Sequence, residues 1–140
     1  MEVTPPTRWR PLVAIYLALL LFAPPAAAQG GPHHPVGRMS RLYYDGARQS
    51  WLGEATRPLD AVVWYPAAAG TPQQERTVDM FRLGSSQLDA PAATGGPWPL
   101  ILVSHGVGGT AMQLSWLAEQ LVRQGYVVAG VNHHGNTATE

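Results

Sequence analysis

The chain has 140 residues with nine basic and nine acidic side chains, so its formal net charge at pH 7 is zero. Because no basic surplus or stripe is present, the composition excludes the usual electrostatic signature of a nucleic-acid-binding protein. No cysteine occurs, which rules out structural disulfides and lipid attachment through an N-terminal cysteine.

The N-terminal segment has the layout of a secretory signal peptide. Arg8 and Arg10 form a basic region, residues 12–23 are apolar, and residues 26–28 supply the small side chains of a cleavage site. The apolar stretch is short for a membrane span, and an uncleaved N-terminal anchor is the alternative. We expect residues 1–28 to be a signal peptide and the protein to be secreted or periplasmic, with no stable membrane insertion after cleavage.

The globular part is expected to begin after a short arm. Residues 29–36 are rich in Gly and Pro and predict an exposed segment, and one domain follows over residues 37–140. Residues 37–44 alternate imperfectly in polarity, which predicts a strand, and the dipeptide Asp45-Gly46 after them is a turn signal.

A second strand is expected at residues 59–65, which are β-branched and aromatic. It should pair with the first strand as an antiparallel neighbour. Residues 67–98 then form a long connection, in whose middle residues 77–89 predict one short helical turn. So long a connection inside a compact domain is unusual unless it is functional or runs over the surface.

The pattern changes after residue 98 to that of a β-α-β unit. Residues 100–103 are an uninterrupted apolar run, which predicts a strand buried on both faces of a parallel sheet. A helix follows, because apolar residues recur with helical spacing between Leu114 and Val122. Residues 126–131 predict the next buried strand, so the fold class is α/β.

The ends of this helix carry recognisable signals. Thr110 and Gln113 fit a capping box, and Ser115 is a second possible N-cap. Gly125 is a typical residue for the stop of a helix.

Each strand of the unit ends in a turn of unusual composition. Residues 104–110 read SHGVGGT, and residues 132–137 read NHHGNT. Because the carboxyl ends of parallel strands meet at one edge of a sheet, both turns should lie at the same edge, where ligands bind to such sheets.

The glycine-rich turn has more than one interpretation. Gly106, Gly108 and Ala111 satisfy the G-x-G-x-x-A pattern of dinucleotide-binding redox domains, but Asn132 stands where the ribose-binding acid is expected. Alternatively, the turn presents backbone N–H groups to the carbonyl oxygen of an ester, which becomes negative when a nucleophile attacks. A non-catalytic exported binding module is the third possibility.

Two blocks of sequence resemble a known family when they are taken together. RPLDAVVWYPA at residues 57–67, followed by PLILVSHGVGG and GYVVAGVNHHGNT within residues 99–137, is similar to the α/β-hydrolase superfamily. The most similar group is that of the dienelactone hydrolases, and the plasma-type platelet-activating-factor acetylhydrolases are a close second. The resemblance implies the N-terminal part of an α/β-hydrolase fold, with antiparallel strands leading into a parallel β-α-β unit.

The resemblance also implies a function. It indicates a serine hydrolase of carboxylic esters or lactones, with a small-molecule ester, lactone or lipid as its substrate and with no cofactor. It places the backbone oxyanion hole at Gly106 and Val107, the N–H of Val107 being the matching donor. Four residues of the two turns are expected around the substrate pocket: His105, Gly108, Asn132 and His134. His105 is also expected to hydrogen-bond within its own turn.

The nucleophile of the resembled family is missing from the chain. It lies in a G-x-S-x-G motif, which the acid and the histidine follow, and no such motif occurs in these 140 residues. We therefore expect a fragment truncated before the nucleophile strand, with no esterase turnover of its own and a tendency to aggregate. No metal site is expected either, because adjacent histidines project to opposite sides of an extended backbone.

Overall fold

A computed structural model describes residues 33–137, except residues 52, 54 and 79. The chain divides into Met1–Gly30 and Gly31–Glu140, and the described residues belong to the second unit. The expected signal peptide therefore lies outside the described residues, together with the beginning of the expected arm. In the described part of the chain, no helix is long and apolar enough to cross a membrane.

One mixed sheet and one helix make up the described fold. The strands are β1 (Val36–Gln49), β2 (Thr56–Pro66), β3 (Gln74–Val78), β4 (Phe81–Leu88), β5 (Leu100–Val103) and β6 (Val127–Asn132). Their order across the sheet is β3-β4-β1-β2-β6-β5. A 3-10 turn (Ala111–Leu114) leads directly into the helix, α1 (Ser115–Arg123).

The antiparallel pair at the start of the domain is confirmed. β1 and β2 pair continuously from Val36 opposite Pro66 to Asp45 opposite Arg57. The turn predicted at Asp45-Gly46 is wrong, because β1 continues to Gln49 across a shift in register. The Asp45 carboxylate accepts the N–H of Ala47 at 3.0 Å and so fits this irregularity into the strand. Val36, the last residue of the arm, is fully buried as the first residue of β1.

The helical turn predicted within residues 77–89 is also wrong. β3 and β4 form an antiparallel hairpin there, with Gln74 opposite Ser86 and Arg76 opposite Gly84. Helix α1 supports the hairpin from a distance in the sequence, because Ser115 Oγ donates to the carbonyl oxygen of Leu83 at 2.7 Å. Such a partner cannot be read from the local pattern of residues.

The β-α-β unit is confirmed, with one correction. β5 and β6 are parallel neighbours, from Leu100 opposite Val127 to Val103 opposite Gly130. The expected burial of β5 on both faces is wrong, since β5 is an edge strand of the described sheet. Leu100 is 60% exposed and Leu102 is 76% exposed.

Helix α1 packs against the sheet and closes the core. Ala118 and Val122 of α1 are fully buried, and so are Trp64 of β2 and Val128 of β6. These side chains form one apolar cluster between the helix and the sheet, which holds the β-α-β unit against β2.

The two ends of the helix match the sequence signals unequally. Gly125 ends it as predicted: its N–H donates to Val122 O at 2.9 Å, and the N–H of Tyr126 donates to Leu121 O at 3.2 Å. At the start, the side chains of Thr110 and Leu114, the two N-cap residues, make no capping hydrogen bond among the described residues. The predicted caps are wrong because the chain enters through a 3-10 turn and Ser115 is buried against β4.

Candidate active site

The turns that follow β5 and β6 lie side by side at one edge of the sheet, as predicted. Ser104 Oγ is 2.7 Å from His133 Nε2, and the rings of His105 and His133 have centroids 4.6 Å apart. Because β5 and β6 are parallel neighbours, the residues that follow them meet at their carboxyl ends.

His105 fastens the two turns to each other. Its Nε2 accepts the backbone N–H of His133 at 3.0 Å, so this nitrogen carries no proton. Its Nδ1 lies 2.7 Å from the carbonyl oxygen of Gly106 and must therefore be the donor. His105 is 8% exposed, so these two hydrogen bonds are largely shielded from water. The expectation that His105 hydrogen-bonds within its turn is confirmed.

Two asparagines of the second turn bind backbone N–H groups of the first. Asn132 Oδ1 accepts the N–H of Ala111 at 2.7 Å, and Asn136 Oδ1 accepts the N–H of Gly108 at 3.3 Å. Within the first turn, the N–H of Gly109 donates to Gly106 O at 3.1 Å. The turn therefore has a defined shape, fixed from β6.

The tip of the first turn keeps its donors accessible. Among the residues that the structure describes, none accepts a hydrogen bond from the N–H of Gly106 or of Val107. The Val107 side chain is 94% exposed, so it contributes no packing that would explain its position. Gly108 follows at φ +66°, a left-handed conformation that glycine adopts without strain and that reverses the chain here. The result is a tight turn with two free donors at its tip.

His134 contacts the connection between β1 and β2. Its Nε2 is 3.0 Å from Ser50 Oγ, and its ring lies beside Trp51, with centroids 6.4 Å apart. The Trp51 side chain is 64% exposed. His105 and His134 were both predicted around the substrate pocket, and both lie at this edge of the sheet. The contacts described for His105 are with Gly106 and His133, whereas those described for His134 are with Ser50 and Trp51.

Three residues of this edge were not predicted from the sequence. Asp60 of β2 lies opposite Asn132 in the sheet, and its Oδ2 accepts Asn132 Nδ2 at 2.6 Å. Asn136 and Trp51 are the others. The composition of the turn at 132–137 could have indicated Asn136, whereas Asp60 needs the register between β2 and β6.

Other kinds of site find little support in the described residues. Within residues 33–137, apart from the three omitted positions, no group of three or more His, Cys, Asp or Glu side chains could hold a metal ion. A cavity of about 330 Å³ is lined by His33–Pro35 together with Ala67 and Ala92. These residues lie where β1 begins and β2 ends. Because β2 and β6 are antiparallel, the cavity is at the opposite end of the strands from the two turns.

Comparison with known proteins identifies a matching family and a similar solved structure. Residues 61–140 match the family described as platelet-activating factor acetylhydrolase, isoform II. The fold is similar to that of a ferulic acid esterase from Streptomyces cinnamoneus, with a TM-score of 0.65 and 26% sequence identity. That match covers 82% of this chain and 36% of the esterase, so the chain spans about a third of the esterase's length. Both turns of the candidate site fall within the matched residues.

Proposed function

The chain belongs to the platelet-activating factor acetylhydrolase isoform II family of α/β-hydrolases, and on this premise we propose that it carries the oxyanion-hole half of a serine hydrolase of carboxylic esters. The observation that supports this most strongly is the accessible N–H of Val107 at the tip of a braced turn. The turn follows β5 at the carboxyl edge of the sheet, where catalytic loops of such folds lie.

The proposed chemistry is acyl transfer through a serine. The serine oxygen attacks the carbonyl carbon of the ester, and the carbonyl oxygen becomes negative in the tetrahedral intermediate. The N–H of Val107 donates to that oxygen, and a second donor lies beside the serine. A donor of this kind contributes about 3 kcal/mol to stabilising the transition state. The alcohol then leaves, and water hydrolyses the acyl-enzyme.

We place the serine, the acid and the general-base histidine in a further part of the polypeptide. No G-x-S-x-G motif occurs in these 140 residues, and the chain spans about a third of the similar esterase. His105 is unsuited to be the base, because a backbone N–H occupies its Nε2 and its Nδ1 donates within the turn. The substrate pocket would lie over the edge formed by Gly108, Asn132 and His134. Its occupant is a small-molecule ester, a lactone as in the dienelactone hydrolases, or a lipid ester.

Export through the signal peptide is part of the proposal. It is supported by the basic, apolar and small-residue regions within residues 1–28. Expressed in a secreting host, the protein should be recovered outside the cytoplasm with Gln29 as its first residue. N-terminal sequencing checks this result. Recovery of a membrane-bound protein that retains residues 1–28 would support the uncleaved anchor instead.

The proposed hydrolase is tested with the full-length gene product. It should hydrolyse p-nitrophenyl acetate and lose this activity on treatment with a serine-directed fluorophosphonate, whose label should map to a serine beyond residue 140. The 140-residue chain, assayed in parallel, should show no turnover above that of an inert protein. Inhibitor-sensitive turnover by the 140-residue chain, or none by the full-length product, would contradict the proposal.

A thermal shift experiment separates the dinucleotide interpretation from this one. The ester hydrolase should melt at the same temperature with and without NAD. Stabilisation by NAD would favour the redox domain, although the N–H of Ala111 at the start of the 3-10 turn is already taken by Asn132.

A further inference from the structure

We propose that Asn132 is a positioning residue for the Val107 amide, and that Asp60 fixes the orientation in which Asn132 does so. The inference rests on the proposed function for its catalytic consequence. The arrangement on which it stands is a line of two hydrogen bonds that connects β2, β6 and the turn after β5.

Asn132 fixes the end of the turn that the sheet does not hold. The turn begins where β5 ends at Val103, and it ends where the 3-10 turn begins at Ala111. Ala111 is 1% exposed, so its N–H would be costly to leave without an acceptor. Asn132 Oδ1 supplies that acceptor at 2.7 Å. Val107 lies between these two fixed ends.

Asp60 decides which way the Asn132 amide faces. An amide side chain has an oxygen that accepts and a nitrogen that donates, and either could point toward the turn. The carboxylate of Asp60 can only accept, so the Asn132 nitrogen must face it, at 2.6 Å from Oδ2. The oxygen is thereby directed to the N–H of Ala111. Asp60 lies opposite Asn132 in the register of β2 and β6, so the sheet itself places the pair.

The same bonds distinguish positioning from contact with the substrate. Both polar atoms of the Asn132 side chain are used, one by Asp60 and the other by Ala111. Asn132 is thus suited to fix the turn, whereas Val107, with its free N–H, is suited to meet the substrate.

This arrangement predicts how two variants should compensate for each other. In Asn132→Asp, a carboxylate can still accept from Ala111, but it stands against the carboxylate of Asp60 and is repelled by it. In the double variant Asp60→Asn with Asn132→Asp, the donor and the acceptor are exchanged, and the line of hydrogen bonds can form again. A residue that merely fills space has no reason to be rescued in this way.

The experiment measures hydrolysis of p-nitrophenyl acetate by the full-length gene product and by its variants. Asn132→Asp and Asn132→Ala should lower kcat by about 10- to 100-fold, because a displacement of about 1 Å costs about 100-fold in rate. KM should change little, since the lost interaction acts on the transition state. The double variant should recover most of the kcat. Gln87→Ala, which removes an exposed amide from β4, is the control and should behave like the wild type.

A second measurement keeps the inference separate from the proposed function. Hydrogen exchange at the Ala111 amide, followed by NMR, should be slow in the wild type and in the double variant and fast in Asn132→Asp and Asn132→Ala. If the wild type hydrolyses no ester, the proposed function fails while the exchange data still test the anchoring of the turn. Wild-type kcat in Asn132→Asp, absence of rescue by the double variant, or unchanged exchange at Ala111 would each overturn the inference.

Discussion

Gly130 of β6 shows how a missing side chain shapes the candidate site. A Cβ atom at this position would lie 2.9 Å from the Cβ of Ala111 and 3.1 Å from Val103 Cγ2. The end of the glycine-rich turn can therefore approach β6 closely, within reach of Asn132. The close approach and the hydrogen bond from Ala111 to Asn132 depend on each other.

Replacing Gly130 with alanine should therefore strain the packing beneath the turn. We expect Gly130→Ala to lower the free energy of unfolding by about 1–3 kcal/mol, as overpacking of a well-packed site does. Urea unfolding of the full-length product measures the change. Gly46→Ala is the matched control, because a Cβ at Gly46 meets no atom within 4 Å. Equal stability of the two variants would show that a Cβ atom at Gly130 fits beside Ala111 and Val103 without strain.

At the scale of elements, helix α1 carries a polar stripe that holds β4. Ser115, Glu119 and Arg123 recur at every fourth residue, so they share one face of the helix. Glu119 Oε2 accepts the N–H of Ser85 at 2.6 Å, and Arg123 Nη2 donates to Ser85 Oγ at 3.1 Å. Since β1 pairs with β4 at Gln87 and Leu88, the helix supplies partners for the part of β4 that precedes them.

The buried position of Glu119 gives this contact a pH dependence. Burial raises the pKa of the Glu119 carboxyl above its ordinary value of 4.5, although the N–H of Ser85 and the charge of Arg123 act in the opposite direction. The folded state then binds a proton more tightly than the unfolded state. The free energy of unfolding should thus fall as the pH rises from 4.5 through the raised pKa, and it should be level above that pKa.

The variant Glu119→Gln isolates this effect, because glutamine does not titrate. Urea unfolding of the wild type and of Glu119→Gln, measured at intervals between pH 4 and pH 8, gives the difference between them. We expect the wild type to lose stability relative to Glu119→Gln as the pH rises. Parallel profiles for the two proteins would contradict the account of Glu119.

At the scale of the whole molecule, the sequence predicted what depends on local periodicity and on the general rules of parallel sheets. β2, the β-α-β unit and the meeting of the two turns at one edge all followed from such patterns. The β3–β4 hairpin did not, because its support comes from Ser115 and Glu119, some 30 residues later. Asp60 was missed for a similar reason: its role depends on the register between strands that are distant in the sequence.

The exposed edge of the described sheet affects the behaviour of the chain in isolation. Leu100 and Leu102 of β5 face outward on a strand that has no second neighbour among the described residues. Unpaired strand edges with apolar side chains promote association. Residues 29–140 expressed alone should therefore form soluble oligomers or aggregates, visible by analytical ultracentrifugation.

A charge on β5 should reduce that association. Leu102→Arg is expected to shift the population toward monomer, since charged residues protect exposed edges. Trp116→Arg is the control, because Trp116 is 59% exposed on helix α1, which has no strand edge. A monomeric parent chain, or equal effects of the two substitutions, would show that β5 is not the surface that associates.

The central claim is that the backbone N–H of Val107 stabilises the negative oxygen of a reacting ester. The most direct test is kcat of the full-length product for p-nitrophenyl acetate in Val107→Pro and Val107→Ala. Proline removes the N–H, so kcat should fall by about 100- to 1,000-fold, whereas alanine keeps the N–H and should leave kcat close to that of the wild type. Equal kcat values for Val107→Pro and Val107→Ala would contradict the account.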